Sequence, residues 1–334
     1  MSARVAVIIL NWNGEALLRR FLPSVIEHTD PAVGTVIVAD NGSTDGSVGY
    51  LRSAFPDLRL ILFDENLGFA EGYNEAIRRT ASEFDYTVLL NSDVEVKDDW
   101  LGPLWRFVSE HPEAGAVQPK LLSATDPKMF EYAGASGGFL DRNGYPYCRG
   151  RIFDTVEEDR GQYDVPVRID WATGASLLVD NSLYLEVGGL DRDFFAHMEE
   201  IDLCWRIRLA GREVWAVPDS RVYHLGGGSL PASNPKKTYL NFRNNLLMLH
   251  KNLPDRVRRG ILLRRRLLDA VAWAKFMIGG ATGDASAIIR AHRDFARMRK
   301  AYTSHPTQNL LDPNRDILFD YYLRARKTYS TLDN

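Results

Sequence analysis

Three carboxylates stand within four positions, Glu199, Glu200 and Asp202, in residues 194–211 (FFAHMEEIDLCWRIRLAG). Acids this close raise one another's pKa unless a cation compensates. They suit a group that takes a proton, or one that faces a metal or a cationic substrate. Ile201, Leu203, Cys204, Trp205, Ile207 and Leu209 recur at helical spacing, which predicts a buried helix ending at Gly211. The acids then open that helix, where its dipole favours negative charge. On that ground alone they could equally be ordinary first-turn acids. Asp202 points away from Glu200, because neighbours at i and i+2 do not share a helix face. It is expected to make a structural bond, with Glu199 orienting the acceptor or a loop.

Three more places carry polar residues of useful type. VIVADNGSTDGS (residues 36–47) sets Asp40 at the end of an apolar run, ready to accept hydrogen bonds from a ligand, with Thr44 and Asp45 as alternative helix caps. NLGFAEGYN (66–74) places Asn66, Gly68 and Asn74 around a helix start, where glycines let backbone N–H groups approach a phosphate. LLNSDVEV (89–96) projects Asp93 from a run of small neighbours, as a Mg²⁺ or Mn²⁺ ligand would be. His224 follows a strand at 213–217 and Pro218, and is by itself as well read as structural.

These residues need a frame. Apolar runs at 5–10, 36–39, 58–62 and 87–90 alternate with helical patterns at 15–28, 45–54 and 70–82. That alternation predicts an α/β fold of β-α-β units with a largely parallel sheet in its first half. Ligands in such sheets bind beyond the C-terminal strand ends. Here those ends read Asn11-Trp12-Asn13, Asp40-Asn41, Asn66 and Asn91-Ser92-Asp93, so four should meet in one polar crevice. From 118 to 170 the pattern dissolves into Gly, Pro and aromatic residues, which predicts a long ordered loop. A glycine turn, Gly226-Gly227-Gly228, precedes mostly helical sequence.

The chain of 334 residues is 45% hydrophobic and 25% charged, ordinary for a globular protein with a substantial core. Its two cysteines, Cys148 and Cys204, imply no disulfide framework and point to the cytoplasm. No apolar run reaches the length of a membrane span. The charge is uneven: residues 1–252 carry 25 Lys+Arg against 36 Asp+Glu, whereas 253–300 carry 12 Lys+Arg against 4 Asp. An acidic body with a basic helical appendage suggests an anionic partner surface, either the inner face of the plasma membrane or the chain's own acidic domain; homodimer formation through these helices is the alternative. No nucleic-acid partner is expected.

Taken in order, NWNG after the first strand, ADNGSTDGS, ENLGFAEGYN, LLNSD, WATGASLLV, GGLDRDFFAHMEEIDLC and PDSRVYHLGG make residues 4–230 resemble the glycosyltransferases of family 2, most of all their bacterial rhamnosyltransferase-like branch. The resemblance implies a GT-A fold: a mixed sheet flanked by helices over 1–230 (nucleotide-sugar half about 1–118, acceptor half about 119–230), then a helical extension over 231–334. It implies a nucleotide-sugar donor, dTDP-rhamnose or a UDP-sugar, and a glycan or lipid-linked acceptor in cell-surface polysaccharide synthesis. By it, Asn11, Asn13, Asp40, Asn66, Gly68, Asn74, Asn91 and Ser92 serve the nucleotide-sugar, with Asp40 on the base. Asp93 and His224 hold a divalent metal (Mg or Mn), and Glu200 is the general base of an inverting transfer. Trp171, Tyr147 and Arg149 are expected on the acceptor side. Two positions depart from the family pattern: Asn91 stands for the first acid of DxD, and Glu200 for the commoner Asp. A sugar-nucleotidyltransferase is the alternative enzyme, but Asn11-Trp12-Asn13-Gly14-Glu15 lacks the basic glycine-rich loop it would need. A non-catalytic nucleotide-sugar-binding protein is the other, against which Asp93, Glu200 and His224 are all retained.

Overall fold

The structure, a computed structural model, describes residues 4–226, 234–303 and 305–332. In chain order the elements are β1 (Val5–Asn11), α1 (Glu15–Glu27), β2 (Gly34–Asp40), α2 (Ser47–Ala54), β3 (Arg59–Leu62), α3 (Gly68–Thr80), β4 (Tyr86–Asn91), β5 (Val94–Val96), α4 (Leu101–Glu110) and β6 (Ala114–Ser123). Then come β7 (Gly138–Leu140), β8 (Pro146–Cys148), β9 (Arg151–Ile152), β10 (Thr155–Val156), β11 (Val167–Ile169), β12 (Ser176–Asp180), α5 (Asn181–Glu186), α6 (Glu199–Leu209) and β13 (Glu213–His224). The chain continues with α7 (Pro235–Asn252), α8 (Asp255–Ile278), α9 (Thr282–Met298) and α10 (Ile317–Tyr322).

Nine strands form one mixed sheet in the order β11-β13-β6-β12-β4-β1-β2-β3, with β5 paired to β13. β3, β2, β1 and β4 run parallel, and the near-continuous apolar sequences of β1 and β4 follow from burial on both faces, with β3 at the partly exposed edge. β12 enters antiparallel between β4 and β6. Helices cover the sheet on both sides and split the buried residues into two large clusters. The parallel register sets Asn11 opposite Asp40 and Leu10 opposite Asn91, so three polar strand ends stand level.

Residues 118–170 are not a long loop. β6 extends into them, and β7 to β10 make a separate four-stranded antiparallel sheet. Each of its strands is two or three residues long, too short for any periodicity to show. Lys120, fully buried on β6, anchors this region through Asp159 (2.9 Å) and Asp164. The strand expected over 213–217 runs on to His224, with an irregular pairing between Val217 and Arg221 that carries it past Pro218.

The expected boundary at 230/231, like Gly227 and Gly228, lies outside the described residues. On its far side α7 places Leu246, Leu247, Met248 and Leu249 in the same core cluster as the sheet and α6, so the helical extension is packed into the body. No helix among the described residues is long and apolar enough to cross a membrane.

Lys120→Met keeps the buried stem and removes the charge that two carboxylates share. It is expected to destabilise the fold by roughly 2–3 kcal/mol, because Asp164 is partly in solvent. The guanidinium unfolding midpoint measures it.

Candidate active site

At the level strand ends, Asn11 Nδ2 donates to Asp40 Oδ2 (2.8 Å) and to Ser43 Oγ (3.2 Å), while Ser43 N–H donates to Asp40 Oδ1 (2.9 Å). Asp40, almost fully buried, is thus aimed by its own turn. Asn13 adopts φ 50° and accepts from the N–H of Thr44 (2.8 Å), joining the first and second strand-end loops. Asn41 reaches Asn66 Oδ1 and the Gly68 carbonyl (both 3.0 Å), which ties in the third. A cavity of about 570 Å³ lined by Asn13, Gly14, Glu15, Arg19 and Asp45 flanks these ends.

The fourth end carries Asn91, Ser92 and Asp93. Asp93 Oδ1 lies 3.1 Å from His224 Nε2, and Asn91 Nδ2 lies 3.5 Å from the same nitrogen. On the other side of the ring Nδ1 faces Glu131 Oε1 at 3.4 Å, an ion-pair distance. Burial lowers the pKa of His224, but the Asp93 and Glu131 carboxylates outweigh it and push it up to about 10. β13 brings His224 here because it pairs with β5, His224 opposite Val94. Nothing in the sequence signals Glu131, which comes from the aromatic and glycine-rich stretch. A carboxylate behind an imidazole is the arrangement that orients a ligating histidine. Among the described residues no three His, Cys, Asp or Glu side chains form a closed metal cage. One carboxylate and one imidazole, with the remaining positions left to phosphate oxygens, nevertheless fit a divalent cation bound together with a diphosphate.

Asn91 N–H donates to the Ala175 carbonyl (3.0 Å), which brings the residues before β12 against the site. A Cβ on Gly174 would stand 3.7 Å from Glu200 Cβ and 3.4 Å from Phe69, so this glycine keeps space beside the Glu200 side chain. Glu199 and Glu200 each hold a buried Oε2 with no hydrogen-bond partner among the described residues. Burial is the first cause of the shift in both. It pushes Glu200 up to about 7 against the backbone N–H groups of the helix start, and Glu199 well above the carboxylate range, helped by the charge on Glu200. Repulsion between the acids, the cause expected from sequence, is thus secondary.

Asp202 behaves differently. It is fully buried and accepts from Asn252 Nδ2 (2.7 Å), Lys251 Nζ (2.9 Å) and Arg206 Nε (2.9 Å). Burial would raise its pKa, but Arg206 and Lys251 hold it below the usual range. The structural role expected for it is what its contacts show.

Just before α6 the backbone is strained. Phe195, His197 and Met198 all have positive φ (66°, 69° and 73°), a region costly for residues with a side chain. One side chain of α7 compensates: Asn244 Nδ2 donates to the carbonyls of Phe194, Ala196 and His197 (2.9, 2.9 and 2.7 Å). Arg243 adds bonds to the Asp193 and Phe194 carbonyls (both 2.9 Å). The helical extension therefore fixes the loop that presents Glu200, a role the sequence leaves unmarked.

Four expected site residues are occupied otherwise. Asn74 makes four hydrogen bonds, to Glu71, Tyr184 and both backbone groups of Leu190, and has no capacity left for a nucleotide. Trp171 is buried, donates to the Phe139 carbonyl (3.0 Å) and lies flat on Gly138. Tyr147 packs in a small core with Ile152, Ile317 and Leu332. Arg149 is spent on the Ser136 and Val165 carbonyls. The exposed aromatics that remain near the site's loops are Trp12, Phe195 and Tyr132, the last facing Arg151 at 4.4 Å.

Asn244→Ala removes a donor from the Ala196 and His197 carbonyls, leaves Phe194 to Arg243, and loosens the strained loop. The fold should lose about 1–3 kcal/mol, read from thermal unfolding, and amide exchange should rise in residues 194–198.

Comparison with known proteins agrees with this geometry. Residues 6–156 match the family described as Glycosyl transferase family 2. The N-acetylglucosaminyl-diphospho-decaprenol L-rhamnosyltransferase of Mycobacterium tuberculosis is 28% identical over 261 residues, 72% of this chain and 84% of that protein. Rhamnosyltransferase WbbL of Escherichia coli is 28% identical over 163 residues, 48% of this chain and 60% of its own length. Among solved structures, a mannosyltransferase from Pyrobaculum calidifontis in complex with GDP-Man and Mn²⁺ aligns with a TM-score of 0.52 at 19% identity, over 90% of this chain and 85% of that one. GalNAc-T7 with UDP, GalNAc and Mn²⁺ aligns at 0.58 and 16% identity, over 76% of this chain and 49% of its own. Fold, motif order and relatives point the same way: residues 6–156 match glycosyltransferase family 2, and the chain is similar to rhamnosyltransferases.

Proposed function

We propose that this glycosyltransferase is inverting and metal-dependent, moving a sugar from a nucleoside diphosphate to a hydroxyl of a lipid-linked glycan in cell-surface polysaccharide synthesis. The relatives' names favour a rhamnosyl donor, taken here as dTDP-rhamnose, and the first of them names a lipid-linked acceptor. The observation that carries the reading is Glu200: a carboxylate whose buried Oε2 has no hydrogen-bond partner among the described residues, its pKa near neutrality, beside Gly174, whose neighbour Ala175 bonds Asn91.

In this reading Glu200 accepts the proton of the acceptor hydroxyl. The freed oxygen attacks the anomeric carbon from the side opposite the leaving group, and the carbon–oxygen bond to the diphosphate breaks, its electron pair leaving with the phosphate. The anomeric centre inverts, and no covalent nucleophile is needed. Asp40, with Asn11 and Asn13 bracing its turn, would face the base, and Asn66 and Gly68 the ribose and diphosphate. Asp93 and His224 would hold the divalent cation, which when bound offsets charge growing on the leaving diphosphate. Glu131 keeps the imidazole turned towards it. Asn91 adds a neutral donor at the first position of the DxD pattern that this stretch resembles, so Asp93 would bear most of the metal binding.

Asp93→Ala should abolish cation-dependent transfer, and Asn91→Ala should keep much of it. Titration of Mn²⁺ into the enzyme with nucleoside diphosphate separates binding from turnover, and an Asp93→Ala enzyme of near-normal activity contradicts the metal site.

Below its pKa Glu200 is protonated and cannot accept a proton, so kcat/KM should fall as the pH drops, with a midpoint near 7. Glu200→Gln should lower kcat by roughly 10²-fold or more with donor affinity little changed, and should flatten that limb. A variant with wild-type kcat and rate-limiting chemistry would move the base role to Glu199.

A further inference from the structure

Helix α8 is packed on one side only. Ile261, Leu262, Arg265 and Asp269 are buried, and the Arg265 guanidinium lies 3.7 Å from the centre of the Tyr145 ring. The opposite face presents Leu263, Leu267, Val271 and Ile278, which are 60%, 64%, 68% and 89% exposed. Their spacing puts them on one stripe, with Met277 and Trp273 beside it. The stripe continues onto α10, where Phe319 and Tyr322 and, just after the helix, Leu323 are also exposed, and Lys275 Nζ, 5.6 Å from the Tyr322 ring, bridges the two helices. Arg256, Arg259, Arg264, Arg266 and Lys275 are exposed around it.

An apolar stripe this continuous, left uncovered among the described residues, marks a docking face. Charge decides between the candidate occupants. Residues 253–300 carry 12 Lys+Arg against 4 Asp, so pairing with a second copy through this face would set like charge against like. A nucleic acid offers phosphates but nothing for the apolar centre. A bilayer with anionic headgroups satisfies both parts, taking the aliphatic side chains below the headgroups and the guanidinium groups among them. We propose that the α8–α10 face docks the enzyme on an anionic lipid surface. Because α7 leads directly into α8 and its Asn244 holds the loop bearing Glu200, docking would fix the orientation of the catalytic crevice relative to the membrane. The proposal stands apart from the choice of donor, and its test reads lipid binding rather than sugar transfer.

The full chain is sedimented with phosphatidylglycerol-containing vesicles and with pure phosphatidylcholine vesicles. At low salt the anionic vesicles should bind at least about tenfold more tightly, and rising salt should weaken the binding. The exposed double variant Leu267→Asp/Val271→Asp should retain its circular dichroism, thermal transition and nucleotide-sugar hydrolysis, and lose about tenfold or more in vesicle affinity. Arg259→Glu/Arg266→Glu should lose the preference for anionic lipid. Three outcomes overturn the proposal: no binding to either vesicle, undiminished binding by the Leu267→Asp/Val271→Asp variant, or a wild-type dimer in analytical ultracentrifugation that this variant converts to monomer.

Discussion

The active site depends on how one helix turn distributes three buried acids. Asp202 is neutralised by Arg206 and Lys251 and bonded by Asn252, whereas Glu199 and Glu200 have no ion pair among the described residues, and Glu199 also feels the charge of Glu200. A paired carboxylate in the interior is a structural tie, and an unpaired one is costly as an ion and so keeps its proton to higher pH. The same turn therefore joins α6 to α7 through Asp202 and offers a near-neutral acceptor for a proton through Glu200. Lys251 also reaches Asp191, which accepts from Tyr302 as well, so the network draws the segment before α6, α6 itself, α7 and the residues after α9 into one unit.

That unit holds strain as well as charge. A helix normally begins from extended backbone with a side-chain cap. α6 begins instead from a left-handed Met198 with no side-chain cap, preceded by two more positive-φ residues. Such a start persists only where the surroundings over-determine it, and three carbonyls held by one asparagine do so. The C-terminal helices thus help to hold the loop before Glu200, while α6 itself is anchored in the core by Ile201, Leu203, Cys204, Trp205 and Ile207.

The proposed metal side has the same logic with opposite sign. His224 sits between Asp93 and Glu131, two carboxylates that arrive from different parts of the chain, one on the turn after β4 and one on the stretch after β6. Glu131 is close enough to orient the ring, and Asp93 stands on its Nε2 side. Replacing the first DxD acid by Asn91 removes negative charge next to this carboxylate pair. The neutral amide still stands 3.5 Å from the imidazole.

By itself the sequence determined the strands, the crevice at their ends and the acids with chemical potential, because these rest on local rules: apolar runs for doubly buried strands, polar residues where a strand stops, and helical spacing after residue 200. It could not decide which acid is paired, since Lys251 and Asn252 lie about fifty positions from Asp202 and only the packing of α7 on α6 brings them together. Asn74, Trp171, Tyr147 and Arg149 have the composition of ligand-binding residues but were taken up by internal hydrogen bonds and ring packing, which depend on tertiary neighbours. The small sheet of β7 to β10 escaped notice because strands of two or three residues carry no period. Glu131 and Asn244 had no local signature, because each acts through contacts with residues distant in sequence. Periodicity is written along the chain, whereas the partner of a buried charge is chosen only when distant segments pack.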